Sequence, residues 1–159
     1  MTTTTAGIDV RLADAEDAFA VAALILRWDL AEGAPMRPGF IDEFADAWLA
    51  DRASRPTWLA VQANGDPVGV VIASLVRKLP SLRRPATAWL HLASVYVAPE
   101  LRGQGIGARL LESVVDWCPQ HGVTRLQLNS ADAATEFYRR AGFGAPAARF
   151  MQLHLASER

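Results

Sequence analysis

The spacing of hydrophobic and polar positions changes several times along the 159 residues, and each change marks an element. Ile8 to Leu12 alternates apolar and charged, which predicts a half-exposed strand. Asp14, with Asp17 three residues on, predicts a capped helix start. Phe19, Ala22, Ala23, Leu26 and Leu30 then fall on one helical face, and Glu32-Gly33-Ala34-Pro35 breaks it. A second helix is predicted from Pro38 to Ala53, with Ile41, Phe44, Ala45, Trp48 and Leu49 on one side. Asp42, Glu43, Asp46 and Asp51 lie mostly on the other, as on a solvated face. Trp58–Gln62 and Val68–Val76 read as paired strands, joined by the hairpin turn Asn64-Gly65-Asp66-Pro67. Arg77 to Pro85 is a polar connector bounded by proline.

The second half repeats the alternation of strand and helix. Ala88 to Val97 is a strand, rich in β-branched and aromatic side chains near its end and stopped by Ala98-Pro99. Gly103, Gly105 and Gly107 follow, then Leu110, Leu111, Val114, Val115 and Cys118 at helical spacing. Val123 to Leu128 is the next strand, and Ser130 or Asp132 caps a helix that runs through Ala141. Gly142 suits the residue after a helix end, where φ is positive. Phe143 to Leu155 is expected to return as one or two final strands, because Met151, Leu153 and Leu155 alternate with Gln152 and His154. The order predicts an α/β fold, a mixed sheet covered by helices on both faces.

The chemistry concentrates in the strand, glycine turn and helix from Leu92 to Leu111. Such a turn aims unpaired backbone N–H groups and the positive end of a helix dipole at one point. Glycines leave no Cβ in the way, so a phosphate can reach those amides. A P-loop would need Gly-Lys-Ser/Thr, and Lys78 is the chain's one lysine. Gly103, Gly105 and Ala108 satisfy the dinucleotide pattern G-x-G-x-x-G/A. The turn lies late in the chain, however, and the next strand ends in Asn129 where a ribose-binding acid is expected.

Arg102-Gly103-Gln104-Gly105-Ile106-Gly107 resembles the R/Q-x-x-G-x-G/A signature of the GNAT family of N-acetyltransferases, as does the Val-Tyr-Val-x-Pro-Glu strand before it. Phe137-Tyr138-Arg139-Arg140-Ala141-Gly142-Phe143 resembles the F/L-Y-x-x-x-G-F segment that follows in that family. The resemblance implies a GNAT-like mixed, mostly antiparallel central sheet of six to seven strands. About four helices would flank it, and it would splay between its fourth and fifth strands. It also implies acetyl-CoA as cosubstrate, an amine acceptor and no metal. The amides of Gln104 through Ala108 would then cradle the diphosphate, within a cofactor site of Arg102, Gly103, Gln104, Gly105, Ile106, Gly107 and Ala108. Val95, Tyr96 and Val97 would lie along the pantetheine arm as along another strand. Arg102 and Arg109 are candidates for the phosphates.

Tyr138, at the family's usual tyrosine, would protonate the leaving thiolate, and it counts among the residues at the cofactor. The strand positions where many members carry an acid are Ala93 and Ser94 here. His91, which strict alternation puts on the same face as Ala93 and Val95, is one candidate base. Glu32, in the loop that lines the acceptor site in the family, is another, and a chain of water is a third. Asn129 or Ser130 would replace the family's asparagine seven residues before the tyrosine, where this chain has Ala131. The alternative to an enzyme is a catalytically silent acyl-CoA-binding member that acts as a sensor or interaction module.

Composition narrows the setting. Hydrophobic residues make up 51% and charged residues 21%, as in globular proteins with a real core. A tail at residues 1–7 and a single N-acetyltransferase domain at 8–159 are expected. The net charge of −1 argues against nucleic acid as a partner, and no apolar run is long enough to span a bilayer. A single cysteine, Cys118, excludes an internal disulfide, places the thiol in the core and makes the cytoplasm the expected compartment. Residues 1–80 carry 7 Lys+Arg against 11 Asp+Glu, and residues 81–159 carry 9 Arg against 6 Asp+Glu. A basic half for an anionic cofactor and an acidic half for a cationic amine would fit that split. A homodimer through a final strand edge is compatible with the pattern.

Overall fold

The computed structural model describes residues 7–155; all of the expected tail but Gly7 lies outside the described residues. The described residues form two compact units, divided between Asn129 and Ser130. The first holds β1 (Ile8–Leu12), α1 (Ala18–Ala31), α2 (Phe40–Ala50), β2 (Thr57–Gln62), β3 (Pro67–Arg77), β4 (Ala88–Val97), α3 (Ile106–Trp117) and β5 (Val123–Gln127). The second holds α4 (Thr135–Arg140).

The sheet runs in the order β1-β2-β3-β4-β5. The first four strands pair antiparallel, and β5 pairs parallel to β4. The mixed, mostly antiparallel sheet and four α-helices are as expected, but the described residues hold five strands, not six or seven. Residues 143–155 form no strand. Met151, Leu153 and Leu155 are 90%, 82% and 83% exposed. Alternation supplies a strand with an apolar face, but a strand exists only where a neighbour takes its hydrogen bonds.

One face of the sheet carries α1 and α2. Leu59, Val70, Ile72 and Tyr96 pack there against Ala18, Val21, Leu24, Ile25, Ala45 and Trp48. This corrects the apolar stripe expected for α1. The buried residues are Ala18, Val21, Ala22, Leu24 and Ile25, whereas Phe19 is 60% exposed and Leu30 is also exposed. The helix is apolar nearly all round, so periodicity alone could not choose its face. The second helix is shorter than Pro38–Ala53 and starts after Gly39, which has a positive φ of 79°. Asp14 and Asp17 do form a capping box, with Asp17 Oδ2 accepting from the Asp14 N–H at 2.8 Å.

The other face carries α3. Trp58 meets Trp117 edge-on at 5.6 Å. Gly69 lets the helix approach closely, since a Cβ there would stand 3.1 Å from Leu110 Cδ1 and 3.3 Å from the Tyr96 carbonyl oxygen. Ile106, Leu110, Leu111 and Val114 are buried, and these four side chains pin the glycine turn to the sheet. Cys118 is buried at the end of the helix.

Candidate cofactor and acyl-transfer site

Two features of the first unit build the site: an open strand edge and an uncapped helix start. β4 pairs with β5 only from Ala88↔Val123 to His91↔Gln127. From Leu92 to Val97 its edge on that side has no strand partner among the described residues. On the other side, the Ala98 N–H donates to the Val68 carbonyl at 2.8 Å. Antiparallel ladders alternate, so Tyr96 also turns its main chain to β3, while Val95 and Val97 turn theirs to the open edge. Val95, through both main-chain groups, and Val97, through its N–H, are therefore able to pair with an extended ligand, while the Val97 carbonyl accepts from Arg102. Tyr96, expected beside them, offers that edge neither its main chain nor its ring, which is buried on the α1 face.

A bulge changes which side chains share a face. Ile72 pairs with Ser94, but Ala73 pairs with Leu92, so Ala93 is the extra residue. His91, opposite Ser74, thus shares its face with Ser94 and Tyr96 instead of with Ala93 and Val95. A one-residue irregularity cannot be read from an alternating sequence. His91 is half-buried on the side of the sheet where α1 and α2 lie.

The turn after β4 leads directly into α3. Gly105 is the N-cap, with φ 82°, and no side chain caps the helix. The first helical bond runs from the Arg109 N–H to the Gly105 carbonyl at 3.1 Å. The N–H groups of Ile106, Gly107 and Ala108 accordingly lack intrahelical acceptors. Gly103 also has a positive φ, and Gly103, Gln104 and Gly105 are exposed. Together with the helix dipole, these groups favour an anion.

Arg102 is exposed but folds back onto the strand. Its Nε donates to the Val97 carbonyl at 2.9 Å, and its guanidinium lies 5.7 Å from the centre of the Tyr96 ring. Trp28 stacks on Tyr96 at 5.4 Å, with 16° between the planes. Arg27, its neighbour on α1, forms an ion pair with Glu100, at the start of the turn. That pair holds the Glu100 carboxyl below the ordinary carboxylate range and raises the Arg27 guanidinium. The end of α1 is thereby tied to the end of β4 and to the start of the turn by two side-chain contacts that sequence reasoning had not connected. Arg27-Trp28 beside Glu32 was the available signal.

Glu32 is exposed at the C-terminal end of α1, and its N–H bonds to the Trp28 carbonyl at 3.0 Å. Asn129 is exposed two residues beyond β5. Arg109 is half-buried on the first turn of α3. Tyr138 belongs to the second unit, on α4. Phe137 and Phe143 meet its ring edge-on at 5.1 and 5.7 Å. Desolvation in that setting pushes its phenol pKa up.

Comparison with known proteins accords with this geometry. Residues 23–143 match the acetyltransferase (GNAT) family. The peptidyl-lysine N-acetyltransferase YjaB of Salmonella typhimurium is 28% identical over 88 residues, 55% of this chain and 50% of the relative. The chain spans half or less of the length of the curated relatives it matches. A crystal structure of a Trypanosoma brucei acetyltransferase superposes with a TM-score of 0.68 at 26% identity, covering 93% of this chain and 99% of the other. A predicted acetyltransferase of Clostridium acetobutylicum, solved with acetyl-CoA, gives a TM-score of 0.74 at 17% identity over 92% and 96% of the two chains. The glycine turn, the strand before it and the Phe137–Phe143 segment through Phe143 all lie within the family match, and this chain belongs to the GNAT family of acetyltransferases.

Proposed function

We propose that the protein moves an acetyl group from acetyl-CoA to an amine by direct attack in a ternary complex. The observation that carries this reading is the pairing of an open edge at Val95 and Val97 with uncapped amides at Ile106–Ala108. The diphosphate would sit on those amides with Arg102, Gly103, Gln104 and Gly105 around it, and Arg109 within reach of the phosphates. The pantetheine amides would bond to Val95 and Val97, and Asn129 would serve the same cofactor. An N–H on the open edge would polarise the thioester carbonyl. The site residues fit coenzyme A because its two recognisable parts, an anion and an extended amide chain, match these two features.

The neutral amine nitrogen attacks the acetyl carbonyl carbon, the C–S bond breaks, and the thiolate takes a proton. Tyr138 is the proposed donor of that proton, because it stands at the tyrosine position of the Phe137–Phe143 segment. The ammonium proton leaves through His91, through Glu32 or through water. Glu32 and Asp29 stand at the negative end of the α1 dipole, a setting that favours a cationic acceptor. This reading takes residues 8–159 as one N-acetyltransferase domain. The family match extends across the division between the two units.

The test is thioester turnover with acetyl-CoA and a panel of small amines and lysine peptides; the named activity of the Salmonella relative makes a protein lysine the first acceptor to try. Acetylated product from any acceptor supports the reading. Acetyl-CoA binding without turnover across the panel would favour the silent acyl-CoA-binding member. No binding would remove both.

A further inference from the structure

Glu100 sets a negative charge next in the chain to a turn proposed to grip a diphosphate. It stands in the single turn Pro99–Leu101 between β4 and the anion-binding amides, four residues before Gln104. An unpaired carboxylate there opposes any phosphate that approaches. Two arginines face it. Arg27 reaches across from α1 and pairs with it directly, and Arg102 contributes a further favourable charge. Arg102, however, is engaged with the Val97 carbonyl and the Tyr96 ring. The partner that neutralises Glu100 is therefore Arg27.

We infer that Arg27 is a positioning residue for the cofactor: it cancels the charge of Glu100 beside the diphosphate turn, while Trp28 on Tyr96 holds the end of α1 where Arg27 can reach. The inference rests on the proposed seating of coenzyme A on that turn. Both members of the pair are solvent-exposed, so their pairing contributes little to the fold. Its value lies in the field at the turn, and that field is screened as salt rises. Glu100 itself still closes the corner between strand and turn as part of the Pro99–Leu101 segment, and its charge is tolerated because it is paired.

Charge cancellation and a simple tether predict opposite double-mutant behaviour. Arg27→Ala exposes the carboxylate and is expected to weaken acetyl-CoA binding roughly three- to tenfold at low ionic strength, with the deficit shrinking in ~0.5 M salt. Adding Glu100→Gln removes the unpaired charge and is expected to restore affinity to within about twofold of the original. A tether would show no such rescue, because the double variant lacks both partners. Calorimetric titration of acetyl-CoA into the intact protein and the three variants reads the result. Unchanged affinity in Arg27→Ala, or a double variant as weak as the single one, overturns the inference. Failure of the unaltered protein to bind acetyl-CoA overturns the seating beneath it as well. Arg27 is on the surface, so its replacement leaves the core packing intact.

Discussion

His91 and Gln127 are the last residues at which β4 and β5 pair. Beyond them β4 continues for six residues with an open edge, and Ala93 bulges two residues beyond the parting point. The bulge turns His91 toward the face that Tyr96 and the α1 helix share. If His91 takes the ammonium proton, His91→Gln is expected to lower kcat by about 10²–10⁴ and to leave the acetyl-CoA dissociation constant unchanged. Steady-state rates beside a calorimetric titration measure both. An unaltered kcat would assign the proton to Glu32 or to water.

Tyr138→Phe keeps the two edge-on contacts with Phe137 and Phe143 and removes only the hydroxyl. Turnover is expected to fall about 10²–10⁴-fold with little change in melting temperature. The pH dependence follows from the direction of the shift. Burial raises the folded-state pKa of this phenol above its unfolded value of about 10. The associated stability is fully present below that value and is lost as pH rises through the folded pKa. The unaltered protein should therefore lose stability at alkaline pH more steeply than Tyr138→Phe, as read in melts from neutral pH upward. Parallel curves would show that this hydroxyl titrates as it does in the unfolded chain.

Gly105→Ala tests the turn without touching any charge. The backbone there has φ 82°, which a residue with a Cβ adopts at a cost of about 1–2 kcal/mol. Open space surrounds the position, so the cost is conformational and not a clash. The variant should melt lower and bind acetyl-CoA more weakly, because the turn relaxes away from the geometry that aims the amides. A variant that melts lower but binds as tightly would place the diphosphate elsewhere.

The Tyr96 hydroxyl is buried and has no hydrogen-bond partner among the described residues. Its ring is in contact with Trp28 and with the Arg102 guanidinium, contacts that phenylalanine can keep. Tyr96→Phe removes an unmade hydrogen bond and should leave stability unchanged or raise it by about 1 kcal/mol. Chemical denaturation measures this. A loss of more than about 1 kcal/mol would reveal a bond made by that oxygen.

Much of this architecture was legible because local rules and global packing agree in the core strands. Trp58–Gln62 and Val68–Val76 are apolar runs on either side of an Asn-Gly turn, and they pair as that pattern demands. The glycine turn was legible for the same reason, since Gly103 and Gly105 occur where positive φ is required. The face of α1 was not legible, because Phe19 and Val21 are both apolar and only the neighbouring sheet decides which is covered. The exposed course of Met151, Leu153 and Leu155 was missed for a related reason: alternation describes a strand's faces but not whether a partner strand exists.

By itself the amino-acid sequence determined the succession of elements as far as α4 and the place of the glycine turn at Gly103–Gly107, because turn chemistry and periodicity are properties of neighbouring residues. Only the tertiary structure decided that β5 leaves β4 at His91, that Ala93 bulges and redirects His91, and that Arg27 meets Glu100 across 73 positions of chain. Those relationships join residues distant in sequence. They arise from strand register and from the way a helix crosses a sheet, and no local pattern encodes either.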